Sequence, residues 1–180
     1  MDIAKKLYLE LTAKQRAIAT YAAMNRGDQA EVDRLIGRAP RRSGHGLAIL
    51  GLGQAMDAYN HIVSKATRDF LLATGKAMAA ASFCEGWVSA GGATDNEQYQ
   101  KNCQAAEALS LMSENRAGEI EAARQAAWEW CENNDVPVDF FSGPLCFIPL
   151  QKNNGDGVKS PINSEFLTIM RSVFNGIKLT

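Results

Sequence analysis

Histidine is almost missing: the 180 residues hold two, His45 and His61. A di-iron helical bundle needs carboxylates and histidines repeating at helical spacing, typically two Glu-x-x-His motifs. The residues three before these histidines are Arg42 and Ala58, so that chemistry is excluded. Cysteine is sparse as well. Cys84, Cys103, Cys131 and Cys146 form no Cys-x-x-Cys pair, so no zinc site or dithiol redox motif is written, and four reduced, mostly packed thiols are expected. No uncharged apolar run reaches the roughly 18 residues of a membrane span. Charges within Met1-Asp2-Ile3-Ala4-Lys5-Lys6-Leu7 are unlike a signal peptide and point to the cytoplasm. An excess of either charge is lacking: 19 Lys plus Arg against 20 Asp plus Glu give a net charge of −1, leaving no global field for a polyanion.

What is present is helix. Thr12 and Gln15 form a capping box that starts a helix to about Arg26. Gly27 suits the C-terminal turn, and Asp28 with Glu31 caps a short helix to about Arg38, before Pro40. The span "AAMNRGDQAEVDRLIGRAP" locally resembles one helix pair of an ankyrin repeat. It covers about a tenth of the chain and has no TPLH-like motif or second copy, so no repeat array follows.

From Leu52 the apolar residues alternate steps of four and three: Met56, Tyr59, Val63, Ala66, Phe70, Ala73, Ala77, Ala80, Cys84, Trp87. This predicts a helix over about 47–89, some 60 Å long, against roughly 40 Å for a compact globule of this size. Either it breaks near Thr74-Gly75, or the molecule is elongated or dimeric. Ala90-Gly91-Gly92-Ala93 turns the chain, and Thr94 or Asp95 caps a second long helix over about 95–132, with Gly118 marking a bend. The segment "NNDVPVDFFSGPLCFIPL" is expected to pack in extended form, and 151–160 to be a mobile loop. Ser160 as cap and Pro161 open a last helix. The expectation is a single all-α domain over 1–180, built on an antiparallel helical hairpin.

Gly51-Leu52-Gly53 in "HGLAILGLGQAMDAYN" invites a dinucleotide-loop reading. The third glycine is replaced by Met56, and no β-branched runs follow to make a parallel sheet, so this is a glycine-loosened helix start. A Walker A loop is absent, as is a Gly-x-Ser-x-Gly elbow. Asp57 and His61 are one turn apart, a spacing that more often makes a surface pair than a site. Trp87, Trp128 and Trp130 read as core or interface.

Two surfaces remain. Arg34, Arg38, Arg41 and Arg42, running into Ser43-Gly44-His45, form a basic segment able to contact phosphate or nucleic acid. The stripe Phe70, Ala73, Ala77, Ala80 and Trp87, with the last helix, is longer than one small domain covers. The expectation is a cytoplasmic, non-catalytic assembly protein, a homo-oligomer and most simply a dimer, possessing no cofactor or metal and no membrane contact. A helical nucleic-acid or phosphate-binding accessory protein is the alternative, and an enzyme with a pocket between helices has no motif behind it.

Overall fold

A computed structural model describes residues 12–37, 45–150 and 161–179. Of these, 79% are helical, with no strand among them. The order is α1 (Ala13–Asn25), α2 (Gln29–Gly37), α3 (His45–Ser89), α4 (Glu97–Asn133), a 3-10 turn (Val138–Phe141) and α5 (Ser164–Asn175).

The first two helices begin as their side chains dictate. Thr12 Oγ1 accepts from the Gln15 amide while Gln15 Oε1 accepts from the Thr12 amide, satisfying donors that a helix start leaves unpaired. Gly27 takes φ +70°, and Asp28 Oδ1 accepts from the Glu31 amide at the start of α2.

α3 runs 45 residues without interruption, about 68 Å at 1.5 Å per residue. The alternative of a break at Thr74-Gly75 is not realised: nothing lies within 4 Å of a Cβ placed on Gly75, so no packed element forces a kink there. α4 starts two residues later than expected because Asn96 is the cap, its Oδ1 accepting from the amides of Gln98 and Tyr99. α4 also runs through Gly118 unbroken. α3 and α4 make the most extensive helix contact in the molecule.

Two sequence expectations are corrected at the other end. The apolar segment after α4 is not wholly extended; Val138–Phe141 coils into a 3-10 turn so that Phe140 and Phe141 both enter the core. α5 is capped by Asn163, not Ser160, because the Asn163 amide donates to the Gly118 carbonyl and its side chain accepts from the Phe166 amide. The expected loop at 151–160 lies outside the described residues.

Glycine is required at two of these contacts. A Cβ on Gly118 would stand 2.6 Å from the Pro161 carbonyl, and one on Gly51 2.5 Å from the Lys178 carbonyl. Gly53 would meet the Tyr21 hydroxyl at 2.9 Å. The glycines that imitate a phosphate loop are thus points where the C-terminal tail and α1 press onto α3.

The core is concentrated where α1, the 3-10 turn and α5 surround the base of the hairpin. Tyr59, Phe141, Phe174 and Met170 are fully buried there, with Trp130 beside them. Phe141 is the hub, its ring edge-on to Tyr59 at 4.9 Å and to Phe174 and Trp130 at 6.3 Å. A small satellite of Ala23, Val32 and Leu35 holds α2 to α1.

Candidate interaction surface

The hairpin reaches well beyond this core. From Phe70 to Ala117, Ala73 is the one hydrophobic side chain that is fully buried. Two helices side by side give each residue a single neighbouring helix, so what does not face that neighbour faces solvent. The register is symmetric about the turn: Thr74 Oγ1 and Ser113 Oγ hydrogen-bond at 2.7 Å, ten residues inside the point where Cys84 approaches the carbonyl of Tyr99. At the tip the Trp87 indole donates to the Ala93 carbonyl at 2.9 Å and its ring covers Gly92.

This placement changes the role of the predicted stripe. Ala73 is buried and Phe70, Ala77, Ala80 and Trp87 are half-buried, on the seam shared with α4. Within one chain four of these five residues are therefore only partly covered. The exposed apolar residues are their neighbours: Leu71, Leu72, Met78, Phe83 and Val88 on α3, and Leu111 and Met112 on α4. Leu71 and Met78 are 62% and 66% exposed, values a core position never shows. Between Phe70 and Ser89 the only charged residues are Lys76 and Glu85, so α3 is apolar nearly all round where only one side of it is covered.

The basic segment is only partly visible. Arg34 forks onto Glu31, one turn before it, making a carboxylate pair of the group proposed for phosphate. Arg38, Arg41 and Arg42 lie outside the described residues, and His45 opens α3 with its side chain undescribed. Asp57 and His61 are both exposed.

Among the described residues, three cavities bear on the question of an enzyme pocket. One of about 270 Å³ lies between the end of α1 and the 3-10 turn; Asn25 Nδ2 donates to the Phe140 carbonyl at its wall, while Asn25 Oδ1 is buried without a partner among the described residues. Its one hydroxyl, Ser142, donates to the Asp139 carbonyl. A second, open, of about 510 Å³, brings Asn60, His61, Ser64 and Cys146 together. That list suggests a thiol nucleophile, yet Asn60, Ser64 and Cys146 are each engaged with backbone. Asn60 clamps the 144–150 segment onto α3, donating to Leu145 O at 2.6 Å and accepting from Phe147 N at 2.8 Å. The Cys146 thiol donates to the Ile148 carbonyl at 3.2 Å, and burial pushes its pKa up, away from the thiolate. Ser64 donates to the His61 carbonyl. The third cavity, about 210 Å³, runs between α3, α4 and α5, where Phe166 and Met170 meet Asp69 and an Arg116 forked onto Glu119. In these three cavities no hydrogen bond links a nucleophile to a base among the described residues. Among the described residues no three of His, Cys, Asp and Glu come together as metal ligands, and no helix is long and apolar enough to cross a membrane.

Sequence reasoning missed two features. The Asn60 clamp has no sequence signal, because its partners are backbone groups some 85 residues away. The approach of Cys84 to Cys103 does have one, since they are equidistant from the glycine turn. No protein-family model, no curated protein and no solved structure matches this chain.

Proposed function

We propose that the protein works by contact and not by catalysis, with a second copy of the chain packing on the distal arm of the hairpin. The observation that carries this reading is the exposure of Leu71, Leu72, Met78, Phe83, Leu111 and Met112 on an arm that has almost no core of its own. Two such arms side by side make a four-helix bundle, the simplest arrangement that gives every helix two apolar neighbours. An arm of about 20 residues per helix is some 30 Å long and roughly 20 Å wide, so one face matches the scale of about 800 Å² per partner that stable interfaces bury. With Lys76 and Glu85 as its only charges, this part of α3 carries no net repulsion against its own copy.

Light scattering over a micromolar concentration series tests the reading. The expected mass is twice the 19.5 kDa of one chain. Leu72→Glu combined with Met78→Glu should return it to one chain's mass with the helical circular dichroism unchanged, and Gln54→Glu, exposed near the base, should leave the dimer intact. A wild-type mass of 19.5 kDa at every concentration overturns the proposal.

A further inference from the structure

We propose that Cys84 and Cys103 are a modification site: they form a reversible disulfide across the distal arm that fastens α3 to α4. The hairpin register carries the inference. Thr74 and Ser113 meet side chain to side chain at 2.7 Å, and Cys84 and Cys103 share the same midpoint between residues 93 and 94, ten positions nearer the turn on each helix. Cys84 Sγ points across the seam at the Tyr99 carbonyl, 4.0 Å away and one turn before Cys103. Both cysteines are free thiols and both are half-buried, so a small reagent reaches them.

Small residues set the spacing. The seam near the pair is lined by Ala77, Ala80 and Ala106, which allow the helices to approach closely. Helix axes about 9–10 Å apart, each with Cα atoms roughly 2.3 Å from its axis, place facing Cα atoms about 4.4–5.4 Å apart, inside the range of about 4.4–6.8 Å that a disulfide spans. The neighbouring Cys103 thiol pushes the Cys84 pKa up to about 11, so little Cys84 thiolate is present at neutral pH and exchange with an oxidant is slow.

A small-molecule disulfide such as oxidised glutathione completes the chemistry. One protein thiolate attacks a sulfur of the reagent, its S–S bond breaks, and one small thiol leaves with a proton. The second cysteine attacks the mixed disulfide, the Cys84–Cys103 bond forms, and the second small thiol leaves with the other proton. The two cysteines are oxidised and the reagent is reduced to two thiols. The remaining cysteines have no such partner. Cys131 is fully buried, its pKa pushed up to about 12 by burial. Cys146 is held against Ile148 beside Asn60, some 35 Å along α3 from Cys84 at 1.5 Å per residue.

The test treats the full chain with oxidised glutathione, counts thiols, and maps linked peptides by mass spectrometry without reduction. The expected result is a fall from four thiols to two, an intact mass lower by two hydrogens, and a Cys84 peptide joined to a Cys103 peptide. The oxidised chain should melt roughly 5–10 °C higher, as closure of a loop of about 20 residues predicts, and lose that gain on reduction. Cys84→Ser and Cys103→Ser should each abolish the link and the shift. Four persistent thiols, a link through Cys131 or Cys146, or a link between two chains overturns the proposal, and the wild-type map decides this even if a variant fails to fold.

Discussion

The two ends of the hairpin are built from the same two helices and held by different means. At the base, α1, the 3-10 turn, α5 and the C-terminal tail enclose α3 and α4, and four aromatic rings from four elements interlock around Phe141. In the arm the same helices meet along small residues, with one fully buried hydrophobic side chain over almost fifty positions. Burial of about 25 cal/mol per Å² of apolar area stabilises the base heavily and the arm little. A helix pair without a third neighbour belongs to the least stable part of a molecule, and the arm's persistence therefore depends on what packs against it or cross-links it.

The contrast breaks if a large truncation is tolerated at the base. Phe141→Ala removes the hub ring, and truncating a buried phenylalanine costs about 3–5 kcal/mol, enough to consume much of a domain's stability. Urea unfolding should show that loss, while Leu71→Ala, exposed on the arm, should change the stability of the monomeric Leu72→Glu/Met78→Glu variant by under about 0.5 kcal/mol. Equal losses at the two sites would mean that the base and the arm share one core.

Glycine substitutions sharpen the comparison at a smaller scale. Gly118→Ala drives a methyl to 2.6 Å from the Pro161 carbonyl, and Gly51→Ala drives one to 2.5 Å from that of Lys178. Each should destabilise by about 1–3 kcal/mol, because backbone must move. Gly75→Ala adds its methyl to open space within a continuous helix, and should stabilise the arm by about 0.5–1 kcal/mol in denaturant titrations. A destabilised Gly75→Ala dimer with an unaffected monomer would place Gly75 in the chain-to-chain contact.

The same division explains what was legible in the sequence. Thr12 with Gln15, Gly27, and Asp28 with Glu31 act over three or four residues, so the local chain contains the whole cause. The long hairpin was legible because its period is enforced over many turns by one partner helix. The base was less so. Asn163 displaces Ser160 as a cap because Gly118, 45 residues earlier, fixes its amide, and Gly51 and Gly53 imitate a loop while serving contacts with Lys178 and Tyr21. The stripe through Ala73 was correctly read as apolar, but periodicity does not say whether the covering helix belongs to the same chain.

The smallest effect concerns α5, which joins the base to the start of the arm. Arg171 forks onto Glu129 with both bonds at 2.7 Å, tying α5 to α4, and the Arg171 hydrogen bonds lower the Glu129 pKa from its ordinary 4.5. A carboxylate depressed in the folded state binds its proton less readily there than in the unfolded chain. Its contribution to stability is therefore fully present above the unfolded value of 4.5 and is lost as the pH falls through the lower folded value. Arg171 is well exposed, so solvent and salt screen the pair and the loss is modest. Hydrogen exchange followed from pH 6 to pH 3 should show α5 amides losing protection before those of α1, after correction for the intrinsic pH dependence. In Glu129→Gln that differential loss should shrink at the same ionic strength. Unchanged relative protection of α5 in the wild type would assign its anchorage to Met170 and Phe174 alone, both fully buried against the base, and would leave the ion pair without a role in holding the two regions together.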